Sequence, residues 1–330
     1  MFMILDDDSM FDVVALGELL VDFVPAGRSS RGTPQFEATP GGAPANVVSC
    51  LSRLGKKTAF IGKVGTDAFG AMLRSALEEQ GILSDGLVTD PNFNTTLAFV
   101  HLDGNGERSF TFYRKHCADV ALEPTDIEKA LLNTRIFHFG SLSLTDEPAR
   151  SATHFALDNL SSAETLVSYD PNLRPELWES LEDARRRILE PMSRVNILKL
   201  SSDELEFLMG MSDPPSGSHE LAKRYGIKMI FVTMGAKGCY YRVGKHAGYG
   251  PAYKVRAVDS TGAGDAFLGG VLYQILEGNK KTEPWCKDDV EGMVRFANAI
   301  GALVTTRLGA FASMSDHSEI AHFVNIKRCA

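Results

Sequence analysis

Cysteine is sparse in this chain and unpaired in pattern. The five (Cys50, Cys117, Cys239, Cys286 and Cys329) are an odd number with no Cys-x-x-Cys spacing, so neither a disulfide framework nor a zinc site is implied. Free thiols in a reducing compartment are the expectation. No apolar run approaches the ~18 residues a membrane span needs. The start, Met1 to Ser9, carries Asp6, Asp7 and Asp8, the reverse of a signal or transit peptide, so a cytoplasmic location is expected. Basic charge is also in deficit. A net charge of −8 offers no basic face to nucleic acid, although a local cradle can still hold a small anion against that field. Two strings are missing as well: no Gly-x-x-x-x-Gly-Lys-Ser/Thr, which excludes a P-loop, and no His-Glu-x-x-His or Cys/His cluster, which leaves no protein-ligated transition metal indicated. There is no internal repeat and no low-complexity linker. Pro214-Pro215-Ser216-Gly217-Ser218 reads as a loop.

What is present is a chain of 330 residues, 44% hydrophobic and 23% charged, which is ordinary for a large globular core. Short apolar strands alternate with amphipathic helices. Val13 to Leu16, Ala59 to Gly62, Arg135 to Phe139, Leu166 to Tyr169, Val195 to Leu198 and Met229 to Val232 read as strands. Helices are expected from Pro44 to Gly55, from Asp67 to Gly81, from Ala266 to Leu276 and from Val290 to Val304. That alternation predicts an α/β fold, a mostly parallel, doubly wound sheet flanked by helices. One region breaks the rhythm. Thr96 to His101 and Ser109 to Tyr113 flank Asp103-Gly104-Asn105-Gly106 and read as a β-hairpin. With Gln35 to Ala38 and the segment after Leu19, it would form a small projecting sheet.

The most informative string is Asp259-Ser260-Thr261-Gly262-Ala263-Gly264-Asp265-Ala266-Phe267. Gly262, Ala263 and Gly264 let backbone N–H groups approach a ligand, and the helix that follows puts those groups at a positive N-terminus, a site for phosphate. Asp265 is out of place in a phosphate cradle unless it has a task. Accepting the proton of a hydroxyl that attacks phosphorus would be one. The plainer reading is an acidic residue in a first helical turn, stabilised by a few tenths of a kcal/mol. A second cluster, Pro40-Gly41-Gly42-Ala43-Pro44-Ala45-Asn46, pairs glycines before a helix with an amide that both donates and accepts, though a loop-to-helix junction uses similar residues. A third, Tyr169-Asp170-Pro171-Asn172-Leu173-Arg174, leaves a buried strand at the carboxyl edge where open α/β sheets bind ligands, or is an Asx-turn.

The first string resembles the C-terminal signature of the ribokinase-like (PfkB) carbohydrate kinases, with Ser260 in place of the usual Thr. Gly41-Gly42 with Asn46, then Gly55, Gly62, Gly65, Asp67 and Gly70, resembles the N-terminal signature of the same family, and the likeness runs from about Val13 to Ser313. Asp170-x-Asn172-x-Arg174 followed by Trp178, the run Gly17 to Pro25, and Phe137 to Leu142 are similar to the fructokinase branch. The resemblance implies one ribokinase-like kinase domain over 1–330, with a discontinuous β lid from about 19–40 and 95–115. It implies Asp265 as base and Gly262, Ala263 and Gly264 as anion hole. It implies Asp22, Gly41, Gly42, Asn46, Arg114, Asp170, Asn172 and Arg174 on the sugar side, where Asp22 suits a polyol because one carboxylate accepts from two vicinal hydroxyls. Arg114 has a second reading as a solvated lid residue. On the ATP side stand Lys199, Glu204, Thr233, Gly235, Gly238, Gly262, Gly264 and Asn298. Glu204 would orient waters on Mg²⁺, although Ser201 replaces the family's Asn and a plain helix cap is the local alternative. Asp259 and Thr261 match a K⁺ site. The expected partners are a small sugar and ATP, with a homodimer through the lid also in keeping. Fructose is the expected sugar; 2-keto-3-deoxygluconate, another ribokinase-type or nucleoside substrate, or a catalytically silent sugar-binding homologue are the alternatives.

Overall fold

The computed structural model describes residues 10–102, 108–278 and 285–328. Its first strand, β1 (Phe11–Leu16), shows why a parallel sheet forms. Val13 and Ala15 enter one hydrophobic core, while Val14 and Leu16 enter the other, all four without exposed surface. A strand apolar on both faces must be covered on both. The chain then leaves for β2 (Leu20–Arg28) and β3 (Pro34–Gly41), and returns through α1 (Ala43–Arg53) to β4 (Thr58–Gly65). After α2 (Ala68–Glu79) and β5 (Leu87–Asp90) come β6 (Leu97–Leu102) and β7 (Arg108–Tyr113). The remaining strands are β8 (Thr134–Gly140), β9 (Leu166–Asp170), β10 (Ile197–Ser201), β11 (Met229–Thr233), β12 (Cys239–Val243) and β13 (His246–Gly250). Between them lie α3 (Ala149–Asp158), α4 (Leu181–Leu189), α5 (Ser202–Met209) and α6 (Pro214–Tyr225), followed by α7 (Ala263–Gly278), α8 (Lys287–Val304) and α9 (His317–Arg328).

Among the described residues nine strands make the large sheet, in the order β13-β12-β11-β10-β9-β8-β1-β4-β5, parallel except for the antiparallel β11–β12 and β12–β13 pairs. One core packs α1, α7 and α8 on one face, and the other packs α3 to α6 on the opposite face. The expected doubly wound α/β architecture is present. The chain proceeds from β1 to β4 on one side and later from β8 onward on the other. The carboxyl ends of β1 and β8 therefore flank a topological switch point, where such sheets open a crevice. The second sheet, ordered β3-β2-β6-β7, stands over that edge.

The β6–β7 hairpin pairs as expected, His101 with Ser109, while the turn Asp103-Gly104-Asn105-Gly106 lies outside the described residues. The expectation of a loop at Pro214 to Ser218 is wrong. That segment is the first turn of α6, because the Asp213 carboxylate accepts from the Ser216 N–H at 2.9 Å and proline fits the first helical turn, where no intrahelical N–H bond is lost.

Candidate active site

A cavity of about 310 Å³ opens between the two sheets. Leu20, Asp22, Phe110 and Phe112 line it from the small sheet, Lys199 from β10 of the large one, Asn46 from α1, and Gly262, Gly264 and Asp265 from the start of α7, with Asn172 and Arg174 at the side. The floor is the N-terminal turn of α7, where the Ala263 N–H reaches the Ser260 carbonyl at 3.3 Å and the helical ladder begins with Ala266 N–H donating to the Gly262 carbonyl at 2.8 Å. Gly262 sits at φ 75°, and a Cβ there would come within 2.5 Å of the Ala310 methyl. At Gly264 a Cβ would lie 2.8 Å from the Lys199 ammonium. Small residues here keep the amides open and let a cation approach them.

Asp265 is buried, and Asn46 Nδ2 donates to its Oδ2 at 2.7 Å. Burial pushes its carboxyl above the ordinary aspartate value, with Lys199, Asn46 and Arg174 pulling it back. The result is a carboxylate of raised basicity at the floor of the cavity, the condition a proton acceptor needs. Beside it, Lys199 Nζ donates to Asp170 Oδ2 at 2.8 Å. Burial opposes the lysine charge, but Asp170, Glu204 and Asp265 outweigh it and hold the ammonium above its usual range.

Several expected sugar contacts are distributed differently. Asp22, Gly42, Asn46, Asn172 and Arg174 do meet at the cavity. Gly41 supports it from behind, because a Cβ there would collide with Asp22 Oδ2. Asn172 takes a left-handed φ of 46°, which asparagine tolerates, and Arg174 lies 5.7 Å above the Phe110 ring. Two expected sugar-side residues stand away from the cavity lining. Arg114 does not line it: its guanidinium donates to Asp119 at 2.6 Å, to the Thr145 hydroxyl at 2.7 Å and to the Leu142 carbonyl at 2.7 Å, which tie the end of β7 to the segments that follow β7 and β8. Asp170 also stays beneath the cavity wall, because its carboxylate serves Lys199.

Of the residues expected to serve ATP, Glu204 is a helix cap and more. Its Oε2 accepts from Ser201 N–H and its Oε1 from Leu173 N–H, both at 2.7 Å, so it joins α5 to the loop carrying Asn172 and Arg174. Asp259 Oδ1 accepts from Thr261 N–H at 2.6 Å and its Oδ2 from Gly309 N–H at 3.0 Å, which braces the loop that leads into α7. The Thr233 hydroxyl faces the Leu200 carbonyl at 3.4 Å, and Gly235 adopts φ 57° in the turn that follows. Gly238, at φ 95°, packs under the Gly250 carbonyl, to which Asn298 Nδ2 also donates at 3.1 Å. Thr233, Gly235, Gly238 and Asn298 thus gather beyond the cavity, at the β11–β13 end of the sheet. Among the described residues, no group of three or more His, Cys, Asp or Glu is arranged to hold a metal.

Glu18 was missed from the sequence. It is buried at the cavity, its Oε1 accepts from Ala43 N–H at 2.9 Å, and burial pushes its carboxyl up to about 7. The available signal was a lone carboxylate inside the apolar stretch from Val13 to Val21. Phe110 and Phe112 were likewise visible only as alternate residues of a hairpin strand. His138 is a core residue, its Nδ1 3.1 Å from the Ser168 hydroxyl and its ring pushed down to about 3 by burial, so it stays neutral.

Residues 10–317 match the family described as pfkB family carbohydrate kinase. Fructokinase-1 of Oryza sativa subsp. japonica is 43% identical over 311 residues, 93% of this chain and 96% of that one. A fructokinase of Xylella fastidiosa, solved with bound ATP, superposes with a TM-score of 0.87 at 32% identity, covering 96% of this chain and 99% of that one. A fructokinase of Vibrio cholerae, solved with fructose, ADP and a calcium ion, gives 0.83 at 32% identity, covering 95% and 99%.

Proposed function

Because the chain belongs to the pfkB family of carbohydrate kinases, we propose that it transfers the γ-phosphoryl group of ATP to the primary hydroxyl of D-fructose, giving fructose 6-phosphate. The observation that carries this reading is the Asp265 carboxylate, raised in basicity, at the floor of a sugar-sized cavity and one residue from Gly264 of the anion hole. The attacking hydroxyl oxygen bonds to the γ-phosphorus, the bond to the ADP oxygen breaks, and the hydroxyl proton passes to Asp265. The amides from Gly262 to Asp265 and the Lys199 ammonium face the charge that develops on the phosphates. Asp22, Gly42, Asn46, Asn172 and Arg174 hold the sugar, and Phe110 and Phe112 in the lid keep water, the competing acceptor, away from ATP. Thr233, Gly235, Gly238 and Asn298 take the nucleotide.

Mg²⁺ fits this site in the way it fits most nucleotide sites, carried by phosphate oxygens and waters with few protein ligands. Glu204 retains lone pairs beyond its two backbone bonds to orient such waters. Bound there, the ion would neutralise phosphate charge. Asp259 and the Thr261 carbonyl are the residues for K⁺. The outer face of the small sheet, where Phe36 and Tyr113 are exposed around Phe99, suits a homodimer through the lid. Four described cysteines, all unpaired, favour a cytoplasmic enzyme.

Replacing Asp265 by Asn keeps the shape and the contact with Asn46 but removes the base. Turnover should fall by ~10²-fold or more with the melting temperature little changed. Turnover within a few-fold of the parent would remove Asp265 from the mechanism.

A further inference from the structure

Asp170 is the buried charge that the reaction above leaves without a task. It is 1% exposed, it does not line the cavity, and its Oδ1 accepts no hydrogen bond. A carboxylate in that position costs several kcal/mol of desolvation unless its partner compensates. The partner is Lys199, at 2.8 Å through Oδ2. Lys199 also lies within electrostatic reach of Asp265, where its charge pulls the raised carboxyl back. With Asp170 neutralised, Asp265 becomes the competing anion for the ammonium. The Cβ that Gly264 lacks marks where the ammonium lies instead, against the anion hole.

We propose that Asp170 is a positioning residue for phosphoryl transfer: it anchors the Lys199 ammonium at the Gly262–Asp265 anion hole and off the base, and does not bind the sugar. This rests on the kinase reading. Three observations support it together: the direct ion pair, the position of Asp170 off the cavity surface, and Lys199 Nζ filling the space where a Cβ on Gly264 would lie, 2.8 Å from it. Its pairing also explains why aspartate follows Tyr169 at the end of β9. The register sets β9 beside β10, Ser168 opposite Ile197 and Tyr169 opposite Leu198, and so brings Asp170 alongside Lys199.

The test is a double-mutant cycle read in kcat and in both KM values. Asp170→Asn preserves an acceptor for Lys199 and removes only the charge. The expected result is a kcat at least ~10-fold lower, with KM for fructose within ~3-fold of the parent. In a Lys199→Met background the same substitution should cost nothing further, because there is no ammonium left to place. Three results overturn the proposal: unchanged kcat in Asp170→Asn, a rise of ~10-fold or more in fructose KM with kcat intact, or losses that multiply in the double variant. Should Asp170→Asn fail to fold, Asp170→Leu combined with Lys199→Met removes both charges and carries the same comparison with Lys199→Met alone. Equal activity supports the anchor and lower activity overturns it. Failure of the kinase reading is distinguishable, since the unaltered enzyme would then consume no ATP with fructose.

Discussion

At the scale of single residues, the site is built from carboxylates that burial has set to different tasks. The surroundings of Asp265 were legible from sequence because they are made by neighbours within three positions: glycines for the amides and a helix start for the dipole. The surroundings of Asp170 and Arg114 were not legible, for the opposite reason. Their partners, Lys199 and Asp119 with Thr145, are supplied by strand register and tertiary packing, and no local string says which way a polar side chain turns. Glu18 gives a prediction of its own. Its pKa in the folded protein, about 7, lies above the 4.5 of an ordinary glutamate, so the folded state binds its proton more tightly than the unfolded chain. The stability this contributes is complete below pH 4.5 and is lost as the pH rises through 7. Glu18→Gln keeps a carbonyl for Ala43 N–H and cannot ionise. Its melting temperature should fall less between about pH 5 and pH 8 than the parent's, as followed by circular dichroism. Identical pH dependence in the two proteins would mean Glu18 does not titrate in that window.

Among the secondary-structure elements, strands were easier to read than the capping chemistry between them. The apolar runs placed β1, β4, β8, β9 and β11 within a few residues, because a strand covered on both faces has to be almost wholly apolar. The run at Val195 proved to start β10 two residues later, at Ile197. Pro214 to Ser218 failed because proline, serine and glycine are shared by loops and by first helical turns, and only the Asp213 cap distinguishes them. That cap gives a clean test of stability apart from function, since α6 packs on the outer core away from the cavity. Asp213→Ala should lower the urea midpoint of unfolding, with kcat and KM unchanged. A loss of activity without a loss of stability would place α6 in the catalytic machinery.

For the whole molecule, the architecture followed from strand-helix alternation, but the cavity did not. It exists because β2, β6 and β7 are displaced into a second sheet that carries Leu20, Asp22, Phe110 and Phe112 over the switch point of the first. The sequence signalled the hairpin without saying which of its faces looks inward. Sugar choice is set across that gap. Fructose and 2-keto-3-deoxygluconate both offer a primary hydroxyl to Asp265, and only the second brings a carboxylate. Arg174 is the cationic side chain beside the cavity's Asn172, and it is already engaged with the Leu173 carbonyl at 3.0 Å and the Phe110 ring. Asp22, Asn46 and Asn172, which line the same cavity, suit neutral hydroxyls. The measurement that tests the account most directly is therefore ATP consumption with the two sugars side by side. The account predicts kcat/KM for D-fructose at least ~10-fold above that for 2-keto-3-deoxygluconate, equivalent to about 1.4 kcal/mol in the transition state. The reverse ranking would contradict the fructose assignment, and no ATP consumption with either would contradict the sugar-kinase reading itself.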